Sequence, residues 1–177
     1  MILIQFTGLS GSGKTTLAEN VRGLLIENGY KVEIVDGDVY RKTISKDLGF
    51  SKDDRCENVR RLFNLGRDFI ETNTIVLMSV INPYENLRKE LRNHEFVRTV
   101  FLDCSLSNLI ERDSKGLYKK ALLPDYDINK INNFTGISDV FETPLNADLV
   151  LKTDFETVPV SANKLYNFII ENLSGLA

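Results

Sequence analysis

A glycine-rich turn caught between an apolar run and a helix-period stretch constrains this chain more than any other feature. Ile2-Leu3-Ile4-Gln5-Phe6-Thr7 reads as a strand, and Leu17, Val21, Leu24 and Leu25 then repeat at helical spacing along one stripe. Between them lies Gly8-Leu9-Ser10-Gly11-Ser12-Gly13-Lys14-Thr15, which satisfies the pattern G-x-x-x-x-G-K-[ST]. Glycines at those places let backbone N–H groups close on an anion, because no Cβ stands in the way and unusual φ angles are open to them. The following helix directs its free amides and the positive end of its dipole at the same point. Lys14 adds a mobile charge for β- and γ-phosphates, and the Thr15 hydroxyl suits a Mg²⁺ ion. The stretch predicts nucleoside triphosphate binding, with Gly8, Ser10, Gly11, Ser12, Gly13, Lys14, Thr15 and Thr16 around the phosphates.

The rest of the chain continues the alternation. Val32–Val35, Thr74–Val80, Val97–Leu102 and Leu149–Leu151 read as further strands. Val59, Leu62, Phe63, Phe69 and Ile70, with Gly66 on the same face, mark a second long helix, and Leu165, Phe168, Ile169 and Leu173 a closing one. Five strands separated by helices predict an α/β architecture, a doubly wound five-stranded parallel sheet flanked by helices. The 177 residues suit a single domain over 1–177. Lys115 to Pro144 is polar, rich in turn formers and weakly periodic, which predicts a lid over about 115–144.

Charge and composition exclude other classes. With 22 Lys+Arg against 25 Asp+Glu the chain lacks the basic footprint of a nucleic-acid binder. The longest apolar stretch, Ile75 to Ile81, is strand-sized and broken by Ser79, far short of the ~20 residues a membrane span needs. No signal peptide is evident, so a cytoplasmic location is expected. Cys56 and Cys104 have neither metal-ligand nor disulfide-framework spacing, and His94, in a polar segment, reads as a surface residue.

A phosphate loop alone does not choose among kinases, switches and motors. No N-K-x-D base-reading motif occurs, and Asp113-Ser114-Lys115-Gly116 satisfies D-x-x-G only after a helical stretch, where it reads as coincidence. A kinase needs a carboxylate near the transferred group. Asp36-Gly37-Asp38 lies at the carboxyl end of the second strand, where open α/β sheets bind ligands. Asp36 there either holds Mg²⁺-bound water or orients an attacking hydroxyl, or it merely caps the next helix. Arg41, Arg55, Arg60 and Arg61 form a candidate basic wall for an anionic acceptor, although Arg60 and Arg61 equally fit a solvated helix face.

Taken together these stretches resemble the adenylylsulfate (APS) kinase family, a P-loop kinase fold. The resemblance rests on Gly8 to Thr16, Asp36-Gly37-Asp38 with Arg41, Lys46 to Ser51, Asp54-Arg55 with Glu57-Asn58 and Arg60-Arg61, Pro83-Tyr84, Arg112-Asp113, Lys115 to Ala121, and Phe134 to Ile137. It implies transfer of the ATP γ-phosphoryl group to the 3′-hydroxyl of adenosine 5′-phosphosulfate, giving PAPS and ADP, with Mg²⁺. It further implies Asp36, Lys14 and Lys119 as catalytic residues, Thr15 and Asp36 at the metal, and Arg112 near the ATP base. Asp38, Arg41, Phe50, Arg55, Asn58, Ile81, Asn82, Lys119 and Phe134 would contact the acceptor, Phe50 and Phe134 sandwiching its adenine. A homodimer is also implied.

Two departures bear on the acceptor. Ile81-Asn82-Pro83 stands where the family commonly has Ile-Ser-Pro, which closes any covalent route through that residue and leaves direct in-line transfer. Leu122 to Asp127 is longer and more acidic than the family pattern. They point to an alternative, a kinase of the same fold acting on a related nucleotide such as a phosphoramidate. A nucleotide-binding subunit that has lost catalysis is the reading from another class.

Overall fold

The structure is a computed structural model that describes residues 1–72 and 74–174. Its strands are β1 (Leu3–Thr7), β2 (Val32–Asp36), β3 (Ile75–Ser79), β4 (Val97–Asp103) and β5 (Leu149–Lys152), in the order β2-β3-β1-β4-β5 with every neighbouring pair parallel. The expected doubly wound sheet is therefore present. β1 is central, with Leu3 opposite Val76 on one side and Val97 on the other. Every residue of β1 and β3 is buried, as a parallel strand covered on both faces requires.

Side chains alternate between two helical layers. Ile2, Ile4 and Phe6 pack with Leu17, Val21 and Leu25 of α1 (Lys14–Glu27) and with Leu165 and Ile169 of the closing helix, Val158–Ser174. Leu3, Val76 and Met78 face Val59, Leu62 and Phe63 of a long helix, Lys52–Ile70, and Leu87 and Leu91 of a shorter one, Glu85–Arg92. Full burial of each such side chain contributes roughly 1.5–3 kcal/mol. In chain order the remaining helices are Gly37–Tyr40 (α2), Lys52–Ile70 (α3), Glu85–Arg92 (α4), Leu106–Arg112 (α5), Leu117–Ala121 (α6) and Val158–Ser174 (α7). α3 starts where Ser51 caps the Asp54 amide at 3.2 Å, with Asp53 and Asp54 in its first turn favouring the dipole.

Gly66 lets α3 lie close on the sheet. A Cβ there would stand 2.9 Å from Leu3 Cδ1 and 3.2 Å from Val76 Cγ1. Gly66→Ala therefore sets an overpacking cost of about 1–3 kcal/mol against a gain in helix propensity of about 1 kcal/mol. A net loss of stability is expected in urea unfolding, and an unchanged or raised midpoint would show that Leu3 and Val76 can give way.

The lid is more ordered than its weak periodicity indicates. It contains α6 and a small core in which Tyr118, Ala121 and Phe134 pack with Cys104 and Leu109, and Leu9 of the glycine loop joins this cluster. His94 departs from the expected plain surface residue. It is half-buried, its ring 5.0 Å from Phe63 and 5.5 Å from Phe96. Both cysteines are free. Among the described residues no helix is long and apolar enough to cross a membrane.

Candidate active site

The loop from β1 into α1 has the conformation its glycines predict. Gly11 and Gly13 hold φ of 77° and 98°, in the left-handed region that a side chain rarely adopts. Gly8 approaches β4 so closely that a Cβ would stand 2.8 Å from the Leu102 carbonyl oxygen. Lys14 folds back over the loop, and its Nζ donates to the carbonyls of Gly8 at 2.8 Å and Leu9 at 2.7 Å and to Ser12 Oγ at 3.4 Å. Burial pushes its ammonium down to about 7, the neighbouring Lys115 adds to this, and Asp38 and Asp36 oppose it. Thr16 lines a pocket with Arg112 of α5 and, past β5, Thr153 and Ser161.

Asp36 closes β2 beside this loop and divides its two oxygens. Oδ1 accepts from the amides of Asp38 at 2.8 Å and Val39 at 3.3 Å, capping α2. Oδ2 accepts from the Thr15 hydroxyl at 2.7 Å, and Thr15 Oγ1 also lies 3.3 Å from Ser79 Oγ at the end of β3. The capping reading of the Asp-Gly-Asp turn thus describes Oδ1, while Oδ2 is turned to the phosphate loop. Ser79 was not legible as a site residue, because a lone serine at the end of an apolar strand carries no signal. The oxygen-only set of Thr15, Asp36 and Ser79 fits Mg²⁺, which keeps waters and takes one or two carboxylates plus substrate phosphates. Among the described residues no group of three or more His, Cys, Asp or Glu converges as a protein cage for a metal.

On the α2–α3 side, Phe50 is 57% exposed, with the Arg41 and Arg55 guanidinium carbons 4.5 and 5.5 Å from its ring centre. Arg41 donates to the Gly49 carbonyl at 2.7 Å, and burial lowers its pKa, as does the charge of Arg55. Arg55 reaches the Phe50 carbonyl at 3.1 Å and the Asn133 carbonyl across the lid. Asn58, on the same helix, is buried with its Oδ1 unpartnered. Such an acceptor, taken from water without a protein donor, is costly unless a ligand supplies one.

The Adenylylsulphate kinase family profile matches residues 1–152. An adenylyl-sulfate kinase of Microcystis aeruginosa is 41% identical, covering 96% of this chain and 92% of its own length. One from Halothermothrix orenii is 44% identical, covering 96% and 90%. The structure of the Mycobacterium tuberculosis APS kinase in complex with AMPPNP and APS superposes with a TM-score of 0.86 at 34% identity, covering 98% of this chain and 97% of that one. The chain belongs to the adenylylsulfate kinase family.

Within this adenylylsulfate kinase family member, the lid reaches the Asp-Gly-Asp turn through Lys115, whose Nζ lies 2.6 Å from Asp38 Oδ2. Lys119 is exposed, and only its backbone N–H is engaged, by Asp113 Oδ2 at 2.9 Å. Asp113 also accepts from the Tyr118 amide at 3.0 Å, so the D-x-x-G match is a turn that starts α6. Tyr118, given no role by its residue type, donates its hydroxyl to the Ser10 carbonyl at 2.9 Å and ties the lid to the loop. Phe134 is buried edge-on against Tyr118, ring centres 5.0 Å apart, whereas Phe50 faces solvent.

Asn82 is wholly buried at φ 41°, its amide donating to Gln5 at 2.9 Å, while the neighbouring Ile81 carbonyl accepts from Gly8 N at 3.3 Å. Arg60 and Arg61 form no basic wall. Arg60 pairs with Glu90 through two 2.9 Å bonds, and Arg61 with Asp47 at 2.7 and 2.9 Å and with Glu57. Arg112 lies near Thr153 O at 3.5 Å, beside a pocket wall (Thr153, Glu156, Ser161) that falls outside the family match.

Proposed function

We propose that this chain transfers the γ-phosphoryl group of ATP to the 3′-hydroxyl of APS, giving PAPS and ADP by direct in-line displacement. The observation that carries the proposal is the 2.7 Å contact of Asp36 Oδ2 with Thr15 Oγ1. It sets a carboxylate against the phosphate loop, on the side where Arg41, Phe50, Arg55 and Asn58 gather. In the proposed step the 3′-oxygen forms its bond to the γ-phosphorus as the bond to the β,γ-bridging oxygen breaks, and the 3′-hydroxyl proton passes to Asp36 Oδ2. The loop amides and Lys14 hold the donor phosphates in line, and positioning with electrostatics supplies most of the acceleration. Thr15, with Asp36 through a metal-bound water, would hold Mg²⁺, which would neutralise charge on the ATP phosphates. From the lid, Lys119 and Lys115 are the cations nearest in sequence to counter developing charge, Lys115 being the one paired with Asp38.

The features that favoured another acceptor are engaged in contacts of their own. Asp125 is 97% exposed and paired with Lys130, and Asp127 closes a local turn on the Asn129 amide at 2.8 Å. Asn82 presents no surface to a substrate. The assembled Lys14, Thr15 and Asp36 also speak against an inactive binding subunit. The homodimer that the family resemblance implies belongs to the same proposal and is read by light scattering.

The test is an acceptor panel with Mg²⁺-ATP, comparing APS, ADP and adenosine 5′-phosphoramidate by kcat/KM. Stoichiometric ADP and PAPS with APS ranked first supports the proposal, and a higher rank for another acceptor overturns it. In the same assay Phe50→Ala is expected to raise KM for APS about ten- to a hundredfold, the loss of one base-stacking contact worth ~1–3 kcal/mol. KM for ATP should not move. If both constants move together, Phe50 is not an acceptor contact.

A further inference from the structure

The lid segment after Phe134 makes one contact that no role above uses. Asp139 Oδ2 accepts from the Tyr84 hydroxyl at 3.0 Å and lies 3.4 Å from Arg55 Nε. The Arg55 side chain is 11% exposed and that of Asp139 23%, so this pair is screened far less than a surface ion pair. Tyr84 is buried at the head of α4 and offers its hydroxyl from a fixed place. The backbone of Asp139 is fixed as well, its N–H donating to Phe134 O at 3.1 Å and its carbonyl accepting from Gly136 N at 2.8 Å.

Arg55 is consequently held on several sides. Nε serves the Phe50 carbonyl, one terminal nitrogen serves the Asn133 carbonyl, and Nη1 donates to no acceptor among the described residues. The guanidinium has a set plane and a terminal nitrogen, Nη1, left open beside the exposed Phe50 ring. An arginine aimed in advance loses less rotamer freedom when an anion arrives, and that saving appears as affinity.

We infer that Asp139 is a positioning residue of the acceptor site, which, braced by Tyr84, aims Arg55 at the anionic group of the acceptor. The inference rests on the reading of Arg55 as an acceptor-binding residue. Because Asp139 belongs to the lid and Arg55 to α3, the same pair holds the lid's second half against the acceptor side.

Asp139→Asn tests this with little disturbance, since Asn keeps an oxygen for Tyr84 and the backbone turn and removes only the charge. KM for APS should rise about tenfold, with kcat within about threefold and KM for ATP unchanged. Tyr84→Phe should shift KM for APS in the same direction by less. The deciding measurement is the double-mutant cycle with Arg55→Gln, in which Asp139→Asn should add nothing, because no guanidinium remains to be aimed. Additive effects, or a parallel rise in KM for ATP, overturn the positioning role. If Asp139→Asn does not fold, the cycle of Tyr84→Phe with Arg55→Gln reads the same coupling. Absence of APS turnover by the unaltered chain overturns the functional reading and this inference with it, whereas turnover with an additive cycle overturns this inference alone.

Discussion

Asp36→Ala is expected to lower kcat by about 10²–10⁴, the range for a lost general base, with KM for ATP within about threefold. The geometry makes the comparison with Asp36→Asn decisive. In the native chain Oδ1 caps α2 through the Asp38 and Val39 amides, while Oδ2 faces Thr15. Asn can still offer its amide oxygen to those N–H groups but cannot take a proton from a substrate hydroxyl. Ala removes both functions and adds the loss of a cap, about 0.5–2 kcal/mol. The two variants should therefore be equally slow, with Ala the less stable in thermal unfolding. A near-native kcat in Asp36→Asn would reduce Asp36 to a helix cap.

The second large effect is at Lys14. Lys14→Met should cost about 10²–10³ in kcat/KM for ATP, comparable to removing one preorganised donor from a reacting anion. Its depressed pKa adds a pH signature. The folded chain without nucleotide releases the Lys14 proton near pH 7, while the unfolded chain keeps it to about 10.5. Between those values the unfolded state binds more protons, so stability contributed by this group rises with pH across the window. Phosphate binding opposes the burial and draws the proton back. ATP binding near pH 8 should therefore take up protons, seen calorimetrically as a dependence of the apparent enthalpy on the buffer's ionisation heat. Lys14→Met should abolish both that dependence and the stability slope. A wild-type enthalpy independent of buffer would show that Lys14 is charged throughout.

Much of the fold was legible because its signals are local. Five apolar runs and three amphipathic stripes place most strands and the long helices, and a strand-to-helix turn with glycines at Gly8, Gly11 and Gly13 admits few alternatives. α4 was not legible, since its apolar face toward the sheet is only Leu87 and Leu91 amid charges. α6 is a single short turn started by Gly116 and the Asp113 carboxylate, too brief to show periodicity. In the site, residue type and position picked out the phosphate loop and the Asp36 turn, which the structure sets side by side. Pairing over long separations was not readable from one sequence. Nothing local distinguishes Lys115, which meets Asp38, from Lys119, or tells that Arg60 and Arg61 spend their charge on Glu90 and Asp47. The same holds for Asn82, whose neighbours in the sequence give no sign that Gln5 receives its amide.

The closing helix carries two obligations on different faces. Val158 and Ser161 of α7 border the pocket beside Gly13 and Arg112, while Ala162, Leu165 and Ile169 pack on α1 and complete one side of the core. A substitution that reshapes the pocket wall is thus transmitted to the helix supporting the phosphate loop. Pocket shape and thermal stability share a lever in this protein, so a variant with a reshaped wall is expected to need compensating changes along Leu17, Val21 and Leu25 before it folds as well as its parent.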